Sequence, residues 1–439
     1  MGEPNDGALR ERLGGLRRAR PLGRVTALDR GALRLSGLGA AVRLGDRVAV
    51  LPEGADPVEC EVTRAGADVE ARPGEGVEAL RIGDRARLLG PPTIAPHDGW
   101  LGRIVDPAGA PLDGRPLRGA GRARPLAGPP PQAATRRRLG PRMATGLAAF
   151  DTLLPLVRGQ RIGLFAGSGV GKSTLLADLA RGAAADVIVI ALVGERGREL
   201  RAFVEDALGA EGMARAVIVA ATSDRPATVR RRCAGAAMAV AEHFRDAGRH
   251  VLYLCDSVTR FAEAHREIAL AAGERASLGG HPPSMPAAIA ALAERAGPGA
   301  DTGGTGDITA VFSVLVAGSD MEEPVADTLR GVLDGHVVLA REIAERGRFP
   351  AIDLPASVSR SLPDAASAAE NALISRARRL LGAYARSEMM IRAGLHSPGA
   401  DPELDEAVAL WPALDAFLGA RIPDIGAAFA DLAHALGEN

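Results

Sequence analysis

The stretch that decides the fold is "GLFAGSGVGKSTLL", residues 163–176. The apolar run before it reads as a strand and the run after it as a helix. Between them stand Gly167, Gly169 and Gly171. Glycine has no Cβ, so the backbone N–H groups of such a loop can close around phosphate oxygens. The strand–loop–helix order is what separates a phosphate-binding loop from a chance glycine-rich turn. Lys172 then reaches the β- and γ-phosphates as a point charge, and Ser173 is placed to ligate Mg²⁺. The helix, entered near Thr174, turns its positive end on the anion. The expected ATP-binding set is Gly167, Ser168, Gly169, Val170, Gly171, Lys172, Ser173 and Thr174. The strict pattern begins with Gly; Ala166 holds that place here.

Around this loop, apolar runs alternate with helical patterns: "QRIGLFA", "DVIVIALV", "AVIVAAT", "HVLYLCD" and "DITAVFSVLVAG". That alternation predicts a mainly parallel sheet flanked by helices, an α/β domain over 146–363. From Asp364 to 439 the Ala/Leu/Arg-rich segments read as helices only. Met389, Met390 and Ile391 are expected in the core of that helical domain. Upstream, 21–92 breaks into short alternating segments: "GRVTAL", "GALRLSGL", "RVAVLP", "ECEVTRA", "VEALRI" and "DRARLLG". Short strands with regular turn signals predict a small β-barrel. "LGDRVAV" (44–50) and "IGDRARL" (82–88) look like two hairpin entries. Residues 93–145 form a linker or wrap, and 116–145 is too rich in Pro, Gly and Arg for regular structure.

The first 20 residues are basic, with Leu9, Leu13 and Leu16 on one helical face. They are either a solvated arm or a helix that folds onto a partner. A net charge of −1 over 439 residues, with 3% aromatics, is no nucleic-acid footprint. Three scattered cysteines, Cys60, Cys233 and Cys255, give neither a disulfide framework nor a zinc spacing, which points to a reducing compartment. No run approaches the ~18 apolar residues of a membrane span. A cytoplasmic protein is expected.

Two carboxylates extend the site. Glu195 ends the strand "VIVIALVGE", at the edge where ligands bind in such sheets, and could polarise the attacking water. A salt bridge with Arg196 or Arg198 is the alternative. Asp256 ends "RHVLYLCD" and could orient the waters of Mg²⁺, or cap the following helix.

Taken in order, "GLFAGSGVGKSTLL", "GERGREL", "DSVTRFAEAHREIALAAGE", "VADTLRGVLDGHVVLAREIAERGRFPAID" and "ASVSR" resemble the flagellar and type III protein-export ATPases, relatives of the rotary ATP synthase subunits. The resemblance runs from about Gly23 to about Leu418. It implies that Lys172 and Ser173 hold phosphate and Mg²⁺, that Glu195 is the catalytic carboxylate, and that Arg196 sits near the γ-phosphate. Asp256 matches the second acidic motif. Phe349 matches an aromatic, usually Tyr, packed on adenine, with a plain core Phe as the alternative. Arg360 matches an arginine finger offered to a neighbouring subunit. The resemblance further implies a homohexamer, a peripheral regulator docked on the N-terminal arm, a central stalk protein, a membrane export gate and chaperone–substrate complexes. It places the protein on the cytoplasmic face of the membrane export apparatus.

The chain departs from the pattern at Phe261 and Phe349, where Tyr is usual, at "GGHPPSMP" (279–286) and at the glycine-rich "TGGTG". A non-catalytic rotary subunit would lack the carboxylate of "GER", and an RNA translocase would need a basic, aromatic barrel. Neither fits. The run 316–353 looks most like flagellar members from α-proteobacteria; an injectisome ATPase is the alternative.

Overall fold

The computed structural model describes residues 20–438, apart from Arg30, Glu75, Gly76, Ala120, Thr302 and 317–320. The proposed arm at 1–20 therefore lies almost wholly outside the described residues. The chain divides into two compact units, the first of them essentially 1–92.

The first unit is a closed barrel of β1 (Leu22–Asp29), β2 (Ala32–Ser36), β3 (Arg47–Leu51), β4 (Val58–Arg64), β5 (Val69–Pro73) and β6 (Arg85–Gly90). Its order is β1-β2-β5-β4-β3-β6, and β6 returns to β1. Closure removes the open sheet edge. Alternate residues, among them Leu33 and Leu35, Val48 and Val50, Cys60 and Val62, point into one small core. Two expectations need correction. "VEALRI" is not a strand but a turn of 3₁₀-helix at Val77–Ala79, leading into the next turn; the fifth barrel strand is Val69–Pro73, stopped by Pro73 and Gly74. Of the two "GDR" turns the first does open a hairpin, β3 with β4, while the second feeds β6, which returns to pair with β3 and β1 rather than with the next strand. Both turns are built alike. Asp46 accepts the Arg43 N–H at 2.9 Å and Asp84 the Arg81 N–H at 2.7 Å.

The second unit holds an eight-stranded sheet. Its strands are β8 (Arg103–Val105), β10 (Arg161–Ala166), β11 (Val187–Val193), β12 (Ala216–Ala221), β13 (Val251–Asp256), β14 (Ile308–Leu315), β15 (Gly335–Leu339) and β16 (Ile352–Ser359); β7 (Thr93–Ile94) pairs with β9 (Arg124–Pro125) outside it. The order is β16-β15-β10-β14-β13-β11-β12-β8, parallel throughout except for β16. The strands are apolar on both faces because both faces are covered. Ile188, Ile190 and Leu192 of β11 join one core, and Val187, Val189 and Val193 the other.

The helices are α1 (Ala148–Asp151), α2 (Lys172–Gly182), α3 (Gly197–Ala202), α4 (Gly209–Ala214), α5 (Ala227–Asp246), α6 (Val258–Ala271), α7 (Ser284–Ala293), α8 (Pro324–Val332), α9 (Arg341–Glu345), α10 (Ala368–Arg392), α11 (Pro402–Leu418) and α12 (Ile425–Ala435). A π-helical turn, Phe203–Leu208, joins α3 to α4.

The stretch 93–145 is more than a linker. Arg103–Val105 adds a strand beside β12, held by a bidentate pair from Arg103 to Asp113 at 2.6 and 2.8 Å. The helical end follows the expectation from Asp364 onward, and α10 opens on a capping box of Ser367 and Glu370. The methionines do not follow theirs: Met389 is 84% and Met390 48% exposed. Consecutive residues on a helix cannot share one face, and the buried stripe of α10 ends at Ala383.

Candidate active site: a phosphate loop beside shared carboxylates

β10 ends at Ala166, and the chain turns through Gly169 and Gly171 at φ of 78° and 88°, a region that favours glycine. Helix α2 begins at Lys172, earlier than the expected Thr174, with Gly171 as its N-cap and no capping side chain. Its first N–H groups are thus left for an anion. Gly171 has a second reason to be glycine: a Cβ there would stand 3.1 Å from the Phe349 ring. The ring is 52% exposed and lies against the loop, so Phe349 is no core residue.

Lys172 is drawn to Asp256, at the end of β13, in a close ion pair with both side chains buried. Asp256 also accepts the Ser313 hydroxyl of β14 at 2.8 Å. The pairing of β13 with β14 brings these two residues side by side. Ser257, not Asp256, accepts the backbone N–H of the following helix, at 3.3 Å from Arg260.

Glu195 follows β11 and is hydrogen-bonded to Glu199 of α3 rather than to Arg196 or Arg198. Arg196 pairs with Glu199 instead, at 3.0 Å. Burial pushes the Glu195 carboxyl up to about 7; the bond to Glu199 and the charge of Asp256 add to this, and Lys172 offsets part of it. Glu199 is held below its ordinary value by the bond from Glu195 and by Arg196. Glu195 therefore holds its proton below about pH 7 and yields it above.

A cleft of about 710 Å³ lies over the loop, lined by Gly167, Ser168, Gly169, Gly171, Lys172, Ser173, Thr174, Glu195 and Arg196. Sequence reasoning missed four further polar residues on its wall: Glu199, Ser223, Arg230 and Arg260. Arg260 stood in the quoted "DSVTR" with no role assigned, while Arg230, first of three consecutive arginines, gave no signal. Cations among backbone N–H groups suit a polyphosphate. A second pocket, of about 320 Å³, holds Ser173, Thr174, Glu195, Glu199 and Asp256 on one wall. Among the described residues no cluster of three His, Cys, Asp or Glu could cage a metal. A hydroxyl and one carboxylate instead fit Mg²⁺, which usually rests on substrate phosphates plus one or two protein oxygens.

Arg360 is not brought to this cleft. β16 runs antiparallel to β15, with Ser359 opposite Gly335 at the end of the sheet where the parallel strands begin. The loop leaves the other end, where Ala166 lies beside Leu339. Arg360 is exposed, and among the described residues its side chain reaches the Arg330 carbonyl, at 3.4 Å. Phe261, by contrast, is a buried residue of α6 itself.

Residues 146–359 match the nucleotide-binding domain of the ATP synthase alpha/beta family, and 366–435 match the C-terminal domain of the type III secretion ATPase EscN. The flagellum-specific ATP synthase of Caulobacter vibrioides is 45% identical over 90% of this chain and 90% of its own. The type 3 secretion system ATPase of Sinorhizobium fredii is 47% identical over 72% of this chain and 70% of its own. The assembled ATPase EscN of enteropathogenic E. coli superposes with a TM-score of 0.87 at 35% identity, covering 94% of this chain and all of that one. With barrel, phosphate-loop sheet and helical end each matched in order, the chain belongs to the family of flagellar and type III secretion ATPases.

Proposed function

We propose that this chain hydrolyses ATP to energise export of flagellar protein subunits, working as a homohexamer. The observation that carries the reading is Glu195: a half-buried carboxyl in the phosphate cleft, close to Lys172 and Glu199, with a proton affinity near neutrality, the property of a general base at working pH. In this reading Gly167 to Thr174 wrap the phosphates, and Lys172 turns from Asp256 towards the β- and γ-phosphates. Ser173, with Asp256 through water, would hold Mg²⁺, which when bound supplies neutralisation of phosphate charge. Glu195 orients the attacking water and takes its proton, and Arg196 stands near the γ-phosphate. Phe349 packs on adenine. Arg360 serves the neighbour's site. The presence of Glu195 speaks against a non-catalytic nucleotide-binding subunit.

The flagellar branch is supported by flagellum-specific relatives from Caulobacter and Agrobacterium, 45% and 43% identical over 90% and 94% of the chain. Virulence-type secretion is the second reading. A central stalk partner is supported by the EscN structure in complex with its central stalk EscO. A regulator on residues 1–20, chaperone–substrate complexes and a membrane export gate complete the proposed partners, with no nucleic acid among them. The protein would work on the cytoplasmic face of the export apparatus; among the described residues no helix is long and apolar enough to cross a membrane. The test is Glu195→Gln, which keeps the shape but cannot accept the proton. It should bind ATP as the parent does and lose turnover; hydrolysis within a few-fold of the parent would refute the assignment.

A further inference from the structure

The loop that carries Phe349 is held from behind by the helical end of the chain. Arg348 places its Nε 2.9 Å from Asp415 Oδ1 on α11, with the arginine side chain only 9% exposed. The same guanidinium donates to the Ile352 carbonyl at 2.8 Å. A Cβ on Gly419, just past α11, would meet the Phe349 carbonyl at 3.3 Å, so the helix end sits on the loop backbone. Arg346 pairs with Glu388 of α10 at 2.7 Å and lies over the Trp411 ring, itself stacked on Tyr384 at 4.6 Å. On the other side, the Phe349 ring faces Gly171. A ring that is half exposed is not held by packing around it. Its place is set by the charges behind it.

We infer that Arg348 is a positioning residue: paired with Asp415, it fixes the Phe349 ring at the phosphate loop and ties nucleotide affinity to the placement of α10 and α11. This rests on the reading that Phe349 packs on adenine. The contact is a close ion pair whose arginine side chain is 9% exposed, and removing Asp415 takes this partner from a charge that is largely out of water. A loop released to sample several positions weakens apparent affinity by the fraction of time it spends in the competent one.

The test uses the full chain, with ATP and inorganic tripolyphosphate as probes in calorimetry and ATP in steady-state kinetics. Arg348→Gln and Asp415→Asn should each raise the Kd and KM for ATP about fivefold. They should leave kcat and tripolyphosphate affinity unchanged, and the exchange of Arg348→Asp with Asp415→Arg should restore part of the ATP affinity. Phe349→Ala controls for the adenine reading. If it leaves ATP affinity unchanged, that reading fails. If it weakens ATP while Arg348→Gln and Asp415→Asn do not, the positioning inference alone is overturned. Equal loss for ATP and tripolyphosphate would also overturn it. Should Arg348→Gln fail to fold, the isosteric Asp415→Asn, at a partly exposed position, decides the question by itself.

Discussion

At one end of the central sheet, where the parallel strands begin, charges are matched; at the other, where they finish, they are shared. At the first end Asp307 takes Arg137 and Arg158, each at 2.5 Å, and the Gly299 N–H at 3.0 Å. Arg161 divides itself between Asp334 and Glu294, and His250 between Thr309 and Asp186. At the second end Glu195 and Glu199 share one cleft with Lys172, Arg196, Arg230 and Arg260, Asp256 holds Lys172, and burial first of all raises Glu195. Matched charges hold a fold in place; a cleft lined by several cations is ready for an anionic substrate. Arg360 lies at the first end too, and among the described residues its side chain reaches the Arg330 carbonyl and no carboxylate.

The predictions test that contrast, starting with the largest effect. Arg360→Ala should lower turnover on the order of 10³-fold or more, the usual loss for an arginine finger, with folding unchanged. Circular dichroism and a turnover assay check both halves. Glu195→Gln should cost roughly 10²- to 10⁴-fold in kcat with ATP affinity kept, read by equilibrium binding. In the parent, kcat/KM should fall on the acid side of pH about 7 as Glu195 gains its proton, a limb absent from the residual activity of that variant. At the matched end, Asp307→Asn should cost about 2 kcal/mol of stability in denaturant unfolding while leaving kcat near the parent value.

The two ends should also respond to pH in opposite senses. The Asp307 carboxyl, which burial pushes up, is brought below its ordinary value by Gly299, Arg137 and Arg158. Its stabilisation is present above the ordinary carboxylate range and is lost as pH falls. Glu195, raised from 4.5 to about 7, binds its proton more tightly folded than unfolded, so its contribution declines as pH rises across that window. Melting curves of Asp307→Asn and Glu195→Gln against the parent should each erase one of these slopes.

Much of this was legible in the chain. The five apolar runs around the loop all became parallel strands, because a strand buried on both faces writes itself as an unbroken apolar run. Of the sheet strands that were missed, two lack that mark: β8 is three residues inside a Pro- and Gly-rich stretch, and β16 is an edge strand that contains Pro355; β15, "GHVVL", is buried and apolar but only five residues long. In the barrel, "VEALRI" alternates like a strand yet turns, while Val69–Pro73 pairs on both sides. Lys172, Ser173, Glu195 and Asp256 met in one place because each sits where a strand ends or the loop turns into α2. Arg230 and Arg260 come from helix faces, where sequence spacing gives no hint of which side meets a ligand.

The central claim is that the two ends of one sheet belong to two different sites, so that each cleft is completed by a neighbour. Mixing Arg360→Ala with Lys172→Ala tests it most directly. Each variant alone should be nearly inactive at every protein concentration. Mixed rings contain interfaces where an intact Lys172 faces an intact Arg360, and there turnover should return. If mixed rings assemble normally and stay inactive, Arg360 acts within its own subunit or only in the fold, and the account is wrong.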